Sequence, residues 1–154
     1  MRAVVQRVTD GSVTIEDRVR GKIGKGFVVL LGIHTDDTPE MVDFFADKIV
    51  NLRVFEDEAG KMNRSLLDAG GAILLVSQFT LYADCSHGRR PSFIEAARPE
   101  KAIPLYERMI ERLRGYSIPV ETGEFGADMQ VRILNDGPVT IILDSNDIYR
   151  KKVP

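Results

Sequence analysis

The run Phe27-Val28-Val29-Leu30-Leu31 offers no polar side chain to water, and Gly24 and Gly26 stand just before it. A strand with one wet face alternates apolar and polar residues. An unbroken run of this length instead reads as a strand covered on both faces. Ala72 to Phe79 reads as a second buried strand, entered through Gly70-Gly71. The rest of the chain must then supply cover for both.

Residues 2–9 and 12–20 are valine-rich and alternate apolar with polar, with Asp10-Gly11 between them. This pattern predicts a β-hairpin turning at Asp10-Gly11. Thr38-Pro39 opens a helix, with threonine as N-cap and proline in the first position. Met41, Val42, Phe45, Ile49 and Leu52 recur at helical spacing and give that helix a core face. A short strand is expected over Asn51 to Glu56, then a turn at Asp57-Glu58-Ala59-Gly60. A second helix runs from about Pro99 to Leu113, with Ala102, Tyr106, Met109 and Leu113 on one stripe and Gly115 as its stop. Pro104 lies near its start, where loss of an amide donor is tolerable. Strands at about 128–135 and 138–143 close the chain. The order β, β, β, α, β, β, α, β, β predicts an α/β fold of mixed sheets with two main helices packed on one side.

No linker, repeat or composition shift divides the 154 residues, so residues 1–154 read as a single domain. Hydrophobic residues at 44% and charged residues at 29% match a globular protein rather than a disordered one. The apolar runs are too short to cross a bilayer as helices, and the N-terminus turns polar before a signal-peptide core can form. One cysteine, Cys85, makes no intrachain disulfide, and His34 and His87 carry no ligand spacing. The expectation is a cytoplasmic protein with no membrane association, no metal and no cofactor.

Net charge is −2, from 21 basic and 23 acidic residues, which argues against gripping a long duplex. It leaves room for a protein that reads one end of an RNA. Local basic groups stand at Arg89-Arg90, at Arg108, Arg112 and Arg114, and at Arg150-Lys151-Lys152. The last two read equally well as solvated surface.

Three segments carry possible chemistry. Ser77-Gln78-Phe79-Thr80-Leu81 ends a buried strand, where polar groups are held rigidly at a rim; it also fits a strand end satisfying its own backbone. Gly88-Arg89-Arg90-Pro91-Ser92-Phe93 sets two arginines beside a proline-fixed turn and a ring, a combination suited to phosphate and a stacked base, or simply a charged surface loop. Asn135-Asp136-Gly137-Pro138-Val139-Thr140 is on its own only a turn between apolar strands.

In this order, and together with Met1-Arg2-Ala3-Val4-Val5-Gln6-Arg7-Val8, Phe55 to Asn63 and Gly126-Ala127-Asp128-Met129-Gln130-Val131, these strings resemble the D-aminoacyl-tRNA deacylase family over nearly the whole chain. Ala83 to His87 and the tail after Ser145 fall outside the resemblance. The resemblance implies a three-layer α/β/β fold and hydrolysis of the ester joining a D-amino acid, or mischarged glycine, to tRNA. It implies that Ser77, Gln78, Phe79 and Thr80 form the catalytic segment. It implies substrate-binding roles for Arg7, Met129, Gly137 and Pro138, with the Gly137-Pro138 bond cis and Arg7 helping to hold that loop. It further implies an obligate homodimer in which Gly137-Pro138 reaches into the other subunit's site, with the 3′ end of aminoacyl-tRNA as partner. Carbonyl oxygens of the pair then accept from the substrate's α-ammonium, so that a D side chain points to open space and an L side chain into backbone. A solvent-facing position remains the alternative for Arg7.

Thr80 is the obvious nucleophile, but a threonine hydroxyl needs an adjacent base and neither histidine sits in a recognised string. The economical mechanism uses the 2′-hydroxyl of the substrate's terminal ribose to position or activate water. The protein adds geometry and backbone amides near Phe79 and Thr80 for the oxyanion, while Ser77 and Gln78 orient the terminal adenosine. Two rivals stand beside this reading: a threonine-dependent esterase acting on small acyl compounds, and a non-catalytic dimer that binds RNA ends.

Overall fold

In the computed structural model, which describes residues 1–149, the valine-rich N-terminus forms one strand, β1 (Arg2–Ile15), not two. The expected turn at Asp10-Gly11 is absent: Asp10 pairs with Leu134 and Gly11 with both Ile23 and Ile133, so the ladder runs through. The chain reverses at Glu16-Asp17, which take φ of 49° and 63°, and β2 (Arg18–Ile23) returns. Gly11 answers a different need. A Cβ there would meet the Val28 side chain at 2.8 Å, so glycine lets β1 lie close over β3 (Gly26–Gly32).

Then follow α1 (Pro39–Asn51), β4 (Phe55–Glu56), β5 (Met62–Arg64), α2 (Leu66–Ala69), β6 (Ala72–Ser77), a 3-10 turn (Phe79–Tyr82), α3 (Pro99–Arg114), β7 (Val120–Thr122), β8 (Gln130–Asp144) and α4 (Ser145–Ile148). Thr38 caps α1 by accepting from the Met41 amide, as its sequence predicts. The strand expected over Asn51 to Glu56 shrinks to Phe55–Glu56, because α1 continues through Asn51. α3 starts at Pro99 and continues through Pro104, which lies in the second turn. Pro104 therefore removes an internal hydrogen bond, a larger loss than a first-turn proline brings. The strands expected at 128–135 and 138–143 are one strand, β8, and β7 was not anticipated.

The main sheet has the order β2-β1-β3-β6-β7, with β8 on the other edge of β1. The β3–β6 and β6–β7 pairs are parallel and the rest antiparallel, so the sheet is mixed. Alternation sorts its side chains into two cores. Ala3, Val5, Phe27, Val29, Ile73 and Leu75 meet α1 and α3 on one face, through Val42, Phe45, Ile49, Ala102, Met109 and Leu113. On the other face Val8, Val13, Ile23, Val28, Leu74 and Val76 form a smaller core. Bending of β1 carries β2 back over β6 and β7, where a Cβ on Gly21 would lie 2.8 Å from the Thr122 carbonyl. Helices, sheet and returning strands thus make three layers, with both main helices on one side.

Among the described residues no helix is long and apolar enough to cross a membrane. The basic group Arg150-Lys151-Lys152 lies outside the described residues.

Candidate active site

Ser77 is the last residue of β6, paired with Leu31 of β3. The strand does not run on to Phe79, as its apolar pattern suggests. The Gln78 amide still donates to the Leu31 carbonyl (2.8 Å), after which the backbone tightens, with Leu81 N–H donating to the Gln78 carbonyl (3.3 Å) and Ala83 N–H to that of Thr80 (3.1 Å). Gly32 permits this turn: a Cβ on it would stand 3.0 Å from Leu81 Cβ and 3.1 Å from the Gln78 carbonyl. The amides of Phe79 and Thr80 precede the turn's first internal donor and stand at its open end.

Arg2 braces the same turn from β1. Its Nη1 donates to the Leu81 carbonyl (2.8 Å), its guanidinium lies 4.6 Å from the Tyr82 ring centre, and its Nε donates to Asp144 Oδ2 (2.8 Å). Burial works against charge on Asp144. The Arg2 guanidinium, the Asn146 amide and the N-terminal ammonium outweigh it and hold this carboxyl below its usual range. Neither Arg2 nor Gly32 was expected at the site from sequence.

Ser77, Gln78, Phe79 and Thr80 line a cavity of about 400 Å³, closed on the far side by Phe125 and by Met129 from the loop before β8. Phe125 rests edge-on against Tyr106 with ring centroids 6.0 Å apart, and the Tyr106 hydroxyl donates to the Leu75 carbonyl at 2.9 Å. Burial pushes the Tyr106 phenol up, so it stays a neutral donor at any physiological pH. Thr80 Oγ1 accepts from Gln78 Nε2 at 3.1 Å, and neither histidine lines the cavity. A roomier cleft of about 680 Å³ lies against the β1–β2 turn, but Glu16, Asp17, Glu124 and Asp128 line it against the single cation Arg20. That acidic wall would repel an RNA backbone.

The Gly137-Pro138 segment lies elsewhere. β8 pairs with β1 at Gln6↔Thr140 and next at Val8↔Asn135, so residues 136–139 pair with nothing on β1 and bulge outward. Asn135 closes the neck: its Nδ2 donates to the carbonyls of Arg7 (3.0 Å) and Val139 (2.9 Å). Arg7 is 6% exposed, which excludes the solvent-facing alternative. Its Nε donates to the Asp136 carbonyl (3.3 Å) and its Nη1 to the Val54 carbonyl (2.6 Å). Gly137 has φ 119°, and a Cβ there would come within 2.9 Å of Arg7 Nη2. The Gly137–Pro138 bond is cis, and both residues are exposed. Arg2 marks the turn's level on β1 and Arg7 the loop's. They are five positions apart along the strand, about 17 Å. One chain brings Ser77 to Thr80 together with Met129, and Arg7 together with Gly137-Pro138, but does not bring the two groups to one cavity.

A layered α/β/β fold with a rim cavity and a separately clamped, exposed loop defines a class of small site-bearing domains, and comparison with known proteins places the chain within it. The family model described as D-Tyr-tRNA(Tyr) deacylase matches residues 4–144, and the chain belongs to that family. It is 60% identical over 145 residues to a D-aminoacyl-tRNA deacylase of Brevibacillus brevis, covering 94% of this chain and 100% of the relative. It is 57% identical over 149 residues to one from Fervidobacterium nodosum, covering 97% and 100%. Among solved structures, a protein described as a c-Myc DNA unwinding element binding protein superposes with TM-score 0.87 at 47% identity, covering 94% of this chain and 99% of that one. A probable eukaryotic D-amino acid tRNA deacylase shares the fold, with TM-score 0.81 at 19% identity over 93% and 98%.

Proposed function

We propose that this chain, as one deacylase domain over residues 1–154, is a cytoplasmic hydrolase that releases D-amino acids, and mischarged glycine, from tRNA while rejecting L-aminoacyl-tRNA. The observation that carries the reading is the match to the deacylase family across residues 4–144, which spans both the Ser77–Thr80 rim and the Gly137-Pro138 loop.

The terminal adenosine enters the cavity beside Phe125 and Met129, with Ser77 and Gln78 orienting it. The ester carbonyl lies over the Phe79 and Thr80 amides, which stabilise the oxyanion. The neighbouring 2′-hydroxyl of the substrate positions a water. Water adds to the carbonyl carbon, the bond to the ribose oxygen breaks, that oxygen takes a proton, and free amino acid and tRNA leave. Thr80 is framework in this scheme. Its hydroxyl accepts from the Gln78 amide, a group that cannot act as a base, which disfavours an acyl-threonine.

Selection comes from the Gly137 and Pro138 carbonyls, supplied by a second copy, which accept from the α-ammonium and leave space only for a D side chain or none. Two observations support the second copy. The strand positions that brace rim and loop, Arg2 and Arg7, are about 17 Å apart, and Gly137 and Pro138 do not line the rim cavity. Among the described residues β8 is also a fifteen-residue strand paired on one side only, with Leu134 53% and Ile142 71% exposed. A long apolar edge of this kind is ordinarily covered.

The test is release of amino acid from D-Tyr-tRNA, Gly-tRNA, L-Tyr-tRNA and D-tyrosine ethyl ester, for the wild type and Thr80→Ala. D-Tyr-tRNA and Gly-tRNA should turn over, L-Tyr-tRNA should not, and Thr80→Ala should keep measurable activity with no acyl-enzyme in the mass spectrum. Equal release from the L form would sink the selectivity. Loss of all activity in Thr80→Ala with a trapped acyl-enzyme in the wild type would favour the esterase, and binding without release would favour the RNA-end binding module.

A further inference from the structure

The Arg89-Arg90 loop has no part in the chemistry above, yet it holds a ring against the rim of the cavity. Phe79 is 57% exposed although its neighbours line the cavity, and Phe93 is 36% exposed. The two rings meet edge to face, centroids 5.1 Å apart at 73°. The pair is anchored on both sides. Phe79 begins the 3-10 turn held down by Gly32 and Arg2. Phe93 follows a two-way backbone bridge, Asp84 N–H to the Ser92 carbonyl (2.8 Å) and Ser92 N–H to the Asp84 carbonyl (2.9 Å), and its own carbonyl accepts from Ala96 N–H (3.1 Å). Asp84 further accepts from Ser86 N–H at 2.9 Å, which tightens the start of the loop.

Two exposed phenylalanines fixed at the lip of a polar-ended cavity are costly unless something covers them. Charge indicates what does. Arg89 and Arg90 stand four and three residues from Phe93, both are exposed, and among the described residues neither is engaged in an ion pair. Apolar faces with free guanidinium groups beside them suit a single-stranded nucleic acid, whose bases stack and whose phosphates are anionic. They suit an aliphatic protein surface poorly.

We propose that Phe79 and Phe93 form a stacking platform for the base of the nucleotide next to the terminal adenosine, with Arg89 and Arg90 on its flanking phosphates. The proposal rests on the functional reading above and extends it to a second nucleotide. It also explains how a chain of net charge −2 holds an RNA end: one stack and two guanidinium groups, outside the cavity that holds the ester.

The experiment compares two substrates that share the ester and differ in the RNA. D-tyrosyl-adenosine ends before the platform; a D-tyrosyl minihelix ending in single-stranded CCA reaches it. Phe93→Ala and the double variant Arg89→Ala, Arg90→Ala are each assayed on both, and their sedimentation is compared with wild type. Each variant should raise KM for the minihelix about tenfold, the loss of one stacked base or a pair of phosphate contacts, with kcat unchanged. Each should leave D-tyrosyl-adenosine hydrolysis within about twofold of wild type. Phe93→Leu, which keeps volume and loses the π face, should repeat the Phe93→Ala result. Equal loss on both substrates overturns the platform, as does a Phe93→Ala protein that dissociates into monomers, which would give the rings to a second copy of the chain. A wild type that cleaves neither substrate overturns the functional reading itself, a result distinct from both.

Discussion

The rim turn and the Gly137-Pro138 loop are both held by an arginine of β1, and the two arginines work differently. Arg2 and Arg7 are five residues apart, so they leave opposite faces of the strand. Arg2 is partly exposed and divides its donors between one carbonyl, Leu81, and a carboxylate, Asp144. Arg7 is buried and directs its donors to the Asp136 and Val54 carbonyls beneath the loop, with the Asp136 carboxylate 3.4 Å from its Nε, while Asn135 ties the neck with two more bonds. The loop is thus fixed from inside the core, and the rim is propped from its edge. Under the proposed mechanism this division is the useful one. The element that tells D from L must not yield, whereas the element that admits and releases the substrate can.

The largest effect should follow from removing the inner support. Arg7→Ala leaves the Val54 and Asp136 carbonyls without their charged donor and opens space under Gly137. It should lower stability by about 3 kcal/mol in urea denaturation. Loss of the loop's position should also reduce kcat/KM on D-Tyr-tRNA about 100-fold, the penalty of a misplacement near 1 Å. Arg7→Lys separates charge from geometry, because one ammonium cannot reach both carbonyls; it should recover little of the activity. Full activity in Arg7→Lys would mean that charge alone holds the loop, and the contrast with Arg2 would lose its basis.

Next comes the rim. Gly32→Ala places a methyl 3.0 Å from Leu81 Cβ and 3.1 Å from the Gln78 carbonyl, so the turn must shift outward. Overpacking here should cost about 1–2 kcal/mol. The shift should lower kcat about tenfold and move KM little, since the amides of Phe79 and Thr80 are displaced while the cavity walls remain. A change confined to KM would place the turn in binding rather than chemistry. Arg2→Ala should do less: about 1 kcal/mol for a partly exposed pair and a carbonyl contact, with a fewfold loss of kcat.

The sequence reports some of this architecture and hides the rest for a physical reason. Strands 27–31 and 72–77 are legible because an unbroken apolar run has one explanation in a chain this size. Helices α1 and α3 are legible because caps and stripes are local signals. The hairpin was misplaced because Asp10-Gly11 satisfies the turn rule, while the true requirement on Gly11 is contact with Val28, seventeen residues away. The 3-10 turn was hidden because Phe79-Thr80-Leu81 continues a strand pattern, and the Arg2 bond to Leu81 that helps end it spans 79 residues. Of the site, the segments were legible through family resemblance. Arg2, Gly32 and Asn135 act through long-range contacts that no local pattern displays.

The smallest and sharpest test uses acid. Asp144 is held below the usual carboxylate range by Arg2, the Asn146 amide and the N-terminal ammonium, against the opposing effect of burial. A carboxyl depressed in the folded state stabilises it above the unfolded value, near pH 4, and that stabilisation is lost as pH falls through the lower folded value. Arg2 then loses its charged partner, and its hold on Leu81 should weaken. The Asn135 bonds at the neck join an amide to carbonyls, and neither an amide nor a carbonyl titrates in this range. Hydrogen-exchange protection factors, which remove the intrinsic pH dependence, should therefore fall a fewfold at the Leu81 and Ala83 amides between pH 6 and pH 3, while the Asn135 side-chain amide, whose Nδ2 donates to two carbonyls, changes less. In Asp144→Asn the rim should already be loosened at pH 6 and should lose little more on acidification. If rim and loop lose protection together in the wild type, or if Asp144→Asn keeps the full acid response, then the two arginines do not divide the labour as their contacts suggest.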